Sequence, residues 1–358
     1  MTTHTTQKTP LFMVVLAFAI VYVVWGSTYF FIHKALSGFT PFMLGATRFT
    51  VAGLLMLGWC WYKGFAIFNW KAIGHASVTG LLLLFIDTGI VIWVEQFMTS
   101  GLVVIMAASA AIWFILLDKP KWKENFTSVP TVSGLFMGFL GVVMLFGEQI
   151  ATAADEAQRS SNILGMLLLV LGAIAWTAGS LYSKYYGPRE EERAKTPVWV
   201  STAWQILIAG IAFTITAALN GEMAAFAWRD VPAEAWWSIA YLVVFGSIIA
   251  YSAYIWLLAN RPATQVSTYA YVNPIVAVML SYFLTEEVIT SVQLTGLAII
   301  LISVLLINLS AYTKGSPDNK IKKRVRVKLK PSAPSRFAET ASVERPDYCT
   351  NANNPRLT

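Results

Sequence analysis

Residues 251–308 read YSAYIWLLANRPATQVSTYAYVNPIVAVMLSYFLTEEVITSVQLTGLAIILISVLLIN. Two long apolar spans, a polar break at Asn260 to Pro262 and an apolar helix interrupted by Asn273-Pro274 follow one another here. A bilayer tolerates polar groups and broken backbone only where protein or a water-filled cavity covers them. The stretch therefore reads as the wall of a pathway through a membrane.

Composition agrees. Of 358 residues, 56% are hydrophobic and 13% charged, with a mean hydropathy of +0.60, outside the range of soluble globular domains. A net charge of +7 would suggest nucleic acid in a soluble chain, but 11 of the 26 Lys and Arg lie beyond residue 312, in a polar tail. Membrane orientation explains the charge better, and no nucleic-acid partner is expected. Cys60 and Cys349 have no CxxC or Cys/His spacing, so neither a disulfide framework nor a metal site is indicated. Ala17-Phe18-Ala19 resembles a signal-peptidase pattern, yet hydrophobicity runs on to Trp25 and predicts a retained first helix.

Spans of about 20 mostly apolar residues are expected at 11–32, 41–62, 73–95, 100–118, 131–147, 162–184, 198–219, 235–258, 264–284 and 292–312. Placing the amino terminus in the cytoplasm puts 11 basic residues of the body inside against Lys34, Arg159 and Arg229 outside, with Arg48 in the membrane. Both termini are expected to be cytoplasmic. The halves echo each other: Thr40-Pro41 opens span 2 as Thr196-Pro197 opens span 7, Trp25 in span 1 answers Trp176 in span 6, and Gly134 and Gly296 open spans 5 and 10. Five spans per repeat is odd, so the second copy lies inverted, an arrangement many transporters use to build two alternately open states around one site. The expected division is a cytoplasmic segment 1–10, a first repeat 11–147, an external linker 148–161, a second repeat 162–312 and a tail 313–358. The tail is expected to be disordered, and its basic run Ile321 to Lys330 suits anionic lipid or a cytoplasmic retention signal.

YAYVNPIVAVMLSYFLTEE at 269–287, followed by QLTG at 293–296 and a last apolar span, resembles the second repeat of an EamA-type transporter, in the drug/metabolite exporter group of the drug/metabolite transporter superfamily. The likeness covers roughly residues 12–310. It implies a cavity lined by spans 1 to 4 and 6 to 9, with spans 5 and 10 peripheral, and export of metabolites, amino acids or drugs. An Arg in this part of span 2 is similar to the family pattern, whereas Asp87 departs from it. Trp93, Glu95 and Gln96, then Thr99-Ser100-Gly101, look like the family's junction of spans 3 and 4. Ala111 stands where repeat 2 has Pro274, which puts a mirrored kink in span 4 in doubt.

Arg48 is the most informative residue, because a charge inside a span costs roughly 2.5 to 3.5 kcal/mol on insertion scales and is kept for a partner or a substrate. Asp87 lies at a matching depth. Two readings stand: a structural ion pair between spans 2 and 3, or Arg48 facing a substrate carboxylate with Asp87 titrating. Glu95, at the outer boundary, reads as a gate or as a solvated acid. Gln265, Tyr269 and Asn273 recur every four residues along one helical face. Pro274 frees a backbone group beside them, so the stripe either lines the cavity or glues helices together. Among many aromatics, Trp25 and Trp176 lie deep and are expected as cavity walls, with Tyr271 as a further candidate. Glycines 134, 138 and 141, and 165, 172 and 179, read as close-packing surfaces.

The fold class expected is an all-α integral membrane protein of ten transmembrane helices in two inverted five-helix repeats. The function expected is secondary transport of a small organic solute, without cofactor, in the inner or plasma membrane. Oligomeric state stays open and a monomer is compatible. An intramembrane enzyme would need clustered carboxylates for Mg²⁺ and diphosphate, and only Glu286-Glu287 pair at a membrane edge. A polytopic sensor would need a docking tail that this composition does not support.

Overall fold

In lipid, backbone groups must find partners within their own segment, which leaves helices as the solution for isolated apolar spans. The computed structural model describes residues 11–186, 196–261, 263–284 and 290–314, without the side chains of 124, 264, 271, 281 and 307–314, and the described residues contain helices and no strand. The principal helices are α1 (Leu11–Ala35), α2 (Pro41–Tyr62), α3 (Trp70–Val94), α4 (Ser100–Leu117), α5 (Val129–Ala151), α6 (Glu156–Tyr185), α7 (Val198–Leu219) and α8 (Ala233–Asn260). Each of these eight is long and apolar enough to cross a membrane. Two further apolar helices follow, α9 (Tyr269–Leu284) and α10 (Ser291–Lys314). Segments 1–10 and 315–358 and the pair Glu286-Glu287 lie outside the described residues.

The main packing contacts of these helices map onto one another when the first five are exchanged for the second five. α2 packs along α7, and α5 along α10. Three further contacts have counterparts under the exchange: α1 with α9 and α6 with α4, α1 with α8 and α6 with α3, α2 with α8 and α7 with α3. Close approach depends on glycine where backbones meet. A Cβ on Gly53 of α2 would stand 2.6 Å from the Leu207 Cα of α7. On α6, a Cβ at Gly172 would stand 3.0 Å from the Asp87 Oδ1 of α3, so the expected glycine surface of α6 is a packing surface against α3.

Three features depart from the sequence reading. First, α5 continues through Ala151 and α6 begins at Glu156, so the linker expected over 148–161 is helical for most of its length. The Asp155 side chain accepts from Gln158 N at 2.7 Å and starts the helix early. Second, the span expected at 264–284 is broken: a turn at Ser267-Thr268 separates Ala263–Val266 from α9. α4 breaks as well, at Ala108-Ser109, without any proline. The Thr177 hydroxyl of α6, which donates to its own Ala173 carbonyl at 2.8 Å, also lies 3.3 Å from the Ala110 carbonyl just after the break, so α6 packs closely on the broken segment. Third, α3 and α8 each carry a π-helical stretch, Leu81–Asp87 and Leu242–Ala250. These are counterparts under the same exchange. Such widened turns favour functional sites because they re-aim the side chains that follow.

Candidate functional site

The two π stretches face one cavity. It is lined by residues of α1 to α4 and α6 to α9 and, among the described residues, by none from α5 or α10. In this conformation it measures about 80 Å³, space on the order of a few waters. Pockets that hold drug-sized ligands run to roughly 300–1,000 Å³, so an organic solute needs a wider state than this one.

Three lining rings, Trp25, Trp176 and Tyr269, cluster with Tyr254. Trp25 contacts Trp176 (5.2 Å between centroids), Tyr254 (4.9 Å) and Tyr269 (5.6 Å), while Trp176 contacts Tyr254 (5.1 Å) and Tyr254 contacts Tyr269 (5.8 Å). Hydrogen bonds beneath the rings tie the same helices together. Ser180 Oγ and Tyr254 OH lie 2.7 Å apart, and Tyr22 OH and Thr268 Oγ1 2.6 Å apart. Lys184 Nζ donates to the carbonyls of Leu258 (3.1 Å) and Arg261 (2.7 Å), and Tyr185 OH to Asp118 Oδ1 (2.9 Å). At the carboxyl-terminal end of α1 Lys34 pairs with Glu234 at 2.7 Å. There Glu222 Oε2 accepts from Thr40 Oγ1 (2.6 Å), Phe42 N (3.1 Å) and Met43 N (3.2 Å), placing a carboxylate on the amino-terminal donors of α2.

Arg48 lines the same cavity. It is 5% exposed, its Nε donates to Ser247 Oγ at 2.8 Å and its guanidinium lies 4.7 Å from the Phe49 ring centroid. Its Nη1 has no hydrogen-bond partner. Ser247 belongs to the π stretch of α8, and the preceding carbonyl, Gly246 O, accepts from Trp25 Nε1 at 3.2 Å. One widened turn thus positions both Arg48 and Trp25. Asp87 ends the π stretch of α3 and is half-buried at the cavity wall, against Gly172. It forms no ion pair with Arg48. Its charge reaches Tyr29, Tyr254 and Tyr269, whereas Glu95, buried at the end of α3, is the carboxylate that Arg48 feels.

A two-halved cavity with a buried cation is the context in which likeness to known proteins becomes informative. A family model described as the EamA-like transporter family matches residues 12–147 and 163–309. The chain belongs to the EamA-like transporter family. The uncharacterized inner membrane transporter YedA of Escherichia coli K12 is 30% identical over 309 residues, 86% of this chain and 93% of that protein. The uncharacterized transporter sll0355 of Synechocystis is 26% identical over 294 residues, 79% of this chain and 86% of its own. A solved crystal structure at 16% identity covers 85% of this chain and 99% of that one with a TM-score of 0.57, which shows a shared fold. Membership places the chain among transporters and sets aside the intramembrane-enzyme alternative.

In this EamA-like transporter the cavity brings together Trp25, Arg48, Asp87, Trp176, Tyr269, Asn273 and Pro274. Gln265 instead lines a separate groove beside Phe18, Tyr22, Arg261 and Thr268, because the turn at Ser267-Thr268 breaks the four-residue spacing that would have put it under Tyr269. Glu95 is 2% exposed and is not among the lining residues, so it is no solvated boundary acid. Tyr271 has its side chain outside the described residues. Asn273, with its amide turned to donate, reaches the backbone carbonyls of Tyr269 (3.2 Å) and Tyr22 (3.1 Å). It therefore joins α9 to α1 while standing at the cavity, so both readings of the stripe hold at this residue. Sequence reasoning missed Tyr254 as part of the aromatic cluster, and Tyr29, Thr28, Gly246 and Ser247 as lining. Short polar residues and glycine in apolar helices give little signal alone. Trp25 and Arg48 each need a partner from α8, and that pairing had no trace in spacing.

Proposed function

We propose that the chain is a multi-pass inner-membrane secondary carrier that moves a small organic solute, of the metabolite, amino-acid or drug class, outward by alternating access. The observation that carries this reading is the cavity itself. It draws on the first four helices of each half and leaves out the fifth, and it holds a buried arginine with an idle donor at mid-helix depth. Such a group is costly in a membrane and is retained for partners or transported ligands. Ten spans in two inverted repeats follow from the odd count per half, and the matched packing of the helices supports that architecture. Repeats 11–147 and 162–312, cytoplasmic termini and a tail resting on anionic lipid belong to the same reading. Trp25, Arg48, Asp87, Trp176, Tyr269, Asn273 and Pro274 form the solute site.

With the basic-residue bias placing Lys34 outside and Lys184 inside, the four rings form the cytoplasmic closure and this conformation is the one closed to the cytoplasm. Purified protein in liposomes loaded with unlabelled solute tests the carrier reading by counterflow. Labelled solute should accumulate transiently when the same solute is inside, and this should vanish with Arg48→Ala. Flux that never saturates and shows no counterflow for any solute class would defeat it.

A further inference from the structure

Charge in and around the cavity does not cancel. Among the described residues it holds one cation, Arg48, which lies within electrostatic reach of Glu95. Asp87 is left over. It makes no hydrogen bond or ion pair to a described residue, and its carboxylate forms no salt bridge with Arg48 across the cavity they both line. The same cavity is lined by the aromatic side chains Trp25, Tyr29, Trp176 and Tyr269, with the Tyr254 ring packed against three of them. Aromatic faces beside a carboxylate are the recurring environment of a bound organic cation, because the ring quadrupole and the charge attract it together. Arg48 adds a second requirement. Its Nε and its ring contact hold it fixed, and the Nη1 donor is left idle in a buried position, where an unmet donor is unfavourable until an acceptor arrives.

We propose that the solute carries a cationic amine whose counter-ion is Asp87, flanked by Trp25, Trp176 and Tyr269, and an oxygen acceptor that takes the Arg48 Nη1 donor. The assignment rests on the carrier reading and narrows its substrate class to amines bearing a carboxylate, carbonyl or hydroxyl oxygen. Both side chains belong to the first five helices: Asp87 ends the π stretch of α3, and Arg48 on α2 is held through Ser247 by the π stretch of α8.

The test uses the full-length protein in lipid nanodiscs for binding and in liposomes for counterflow, with matched probes. These are L-phenylalanine, phenylalaninol, phenethylamine and 3-phenylpropionate, and an aliphatic set of L-leucine, leucinol, isopentylamine and 4-methylpentanoate. Members with both amine and oxygen should bind at least tenfold more tightly than either truncated form. The carboxylate and alcohol members separate the two sources of the oxygen. Asp87→Asn should weaken every amine-bearing probe at least tenfold, change the nitrogen-free acids less than threefold and leave folding intact by size-exclusion profile. Asp87→Glu should restore part of the amine affinity. Arg48→Lys should weaken only probes that carry the oxygen. Nitrogen-free acids binding as tightly as their amino counterparts, or Asp87→Asn leaving amine affinity unchanged, would overturn the assignment. Counterflow of nitrogen-free solutes alone would also overturn it while leaving the carrier standing. Absence of counterflow for every class would remove both.

Discussion

Arg48 and Asp87 show what depth along a helix does and does not determine. Their levels in the membrane match, as rise per residue implies, but an ion pair also needs the two side chains to face each other. The Nε bond to Ser247 and the stacking on Phe49 turn Arg48 toward α8, while Asp87 packs on Gly172 of α6. Breaking a true buried pair is worse than removing both members, because one uncompensated charge stays behind. Here the two are not partners. Arg48→Ala and Asp87→Ala should therefore lower the unfolding free energy by independent amounts, with the double variant at their sum to within about 0.5 kcal/mol, the additivity expected of uncoupled sites. Chemical unfolding in detergent micelles measures this. A double variant more stable than either single one would reinstate the pair.

At the scale of the helix, close approach sorts glycines that look alike in sequence. Gly53 and Gly58 lie in the same helix, α2. A Cβ on Gly53 meets the backbone of Leu207 at 2.6 Å, whereas Gly58 has nothing within 4 Å. Backbone cannot step aside as a flexible side chain can, so added volume at Gly53 has to push α2 from α7. Gly53→Val should cost about 1–3 kcal/mol, the usual penalty of overpacking, and reduce the monodisperse fraction after extraction. Gly58→Val should match the parent in the same chromatogram. Equal behaviour of the two variants would mean that α2 and α7 do not meet as described. The α2–α7 contact also explains why the helices themselves were readable. Apolar length locates each one, and the Thr-Pro openings mark α2 and α7 as counterparts. The breaks in α4 and before α9, and the two π stretches, were not readable. Those depend on how neighbouring helices pack, as α6 does through Thr177 against the break in α4, and a single sequence carries no mark of them.

For the whole molecule, the legible part of the site was what burial makes expensive: Arg48, the deep tryptophans and the Asn-Pro pair are conspicuous because a membrane penalises them. Gln265 was misplaced because one turn of irregular backbone reset the face on which it lies, and Tyr254 was hidden among aromatics that also serve as interfacial anchors. The arrangement has a consequence for access. In the proposed orientation the four rings and the Lys184 and Tyr185 hydrogen bonds would form the cytoplasmic closure, with Thr28 and Val104 lining the cavity. Val51, in α2, is 41% exposed on the surface of the bundle. In protein lacking Cys60 and Cys349, a membrane-impermeant thiol reagent added outside intact cells should label Thr28→Cys and Val104→Cys at least tenfold faster than Val51→Cys. Reagent confined to the cytoplasmic side of inverted vesicles should label the first two slowly until Trp25→Ala removes the ring that contacts Trp176, Tyr254 and Tyr269, after which the rate should rise. Slow external labelling of both cavity positions together with fast cytoplasmic labelling in the unmodified rings would reverse the assigned orientation. Indifference to Trp25→Ala would show that the rings pack the helices without closing the pathway.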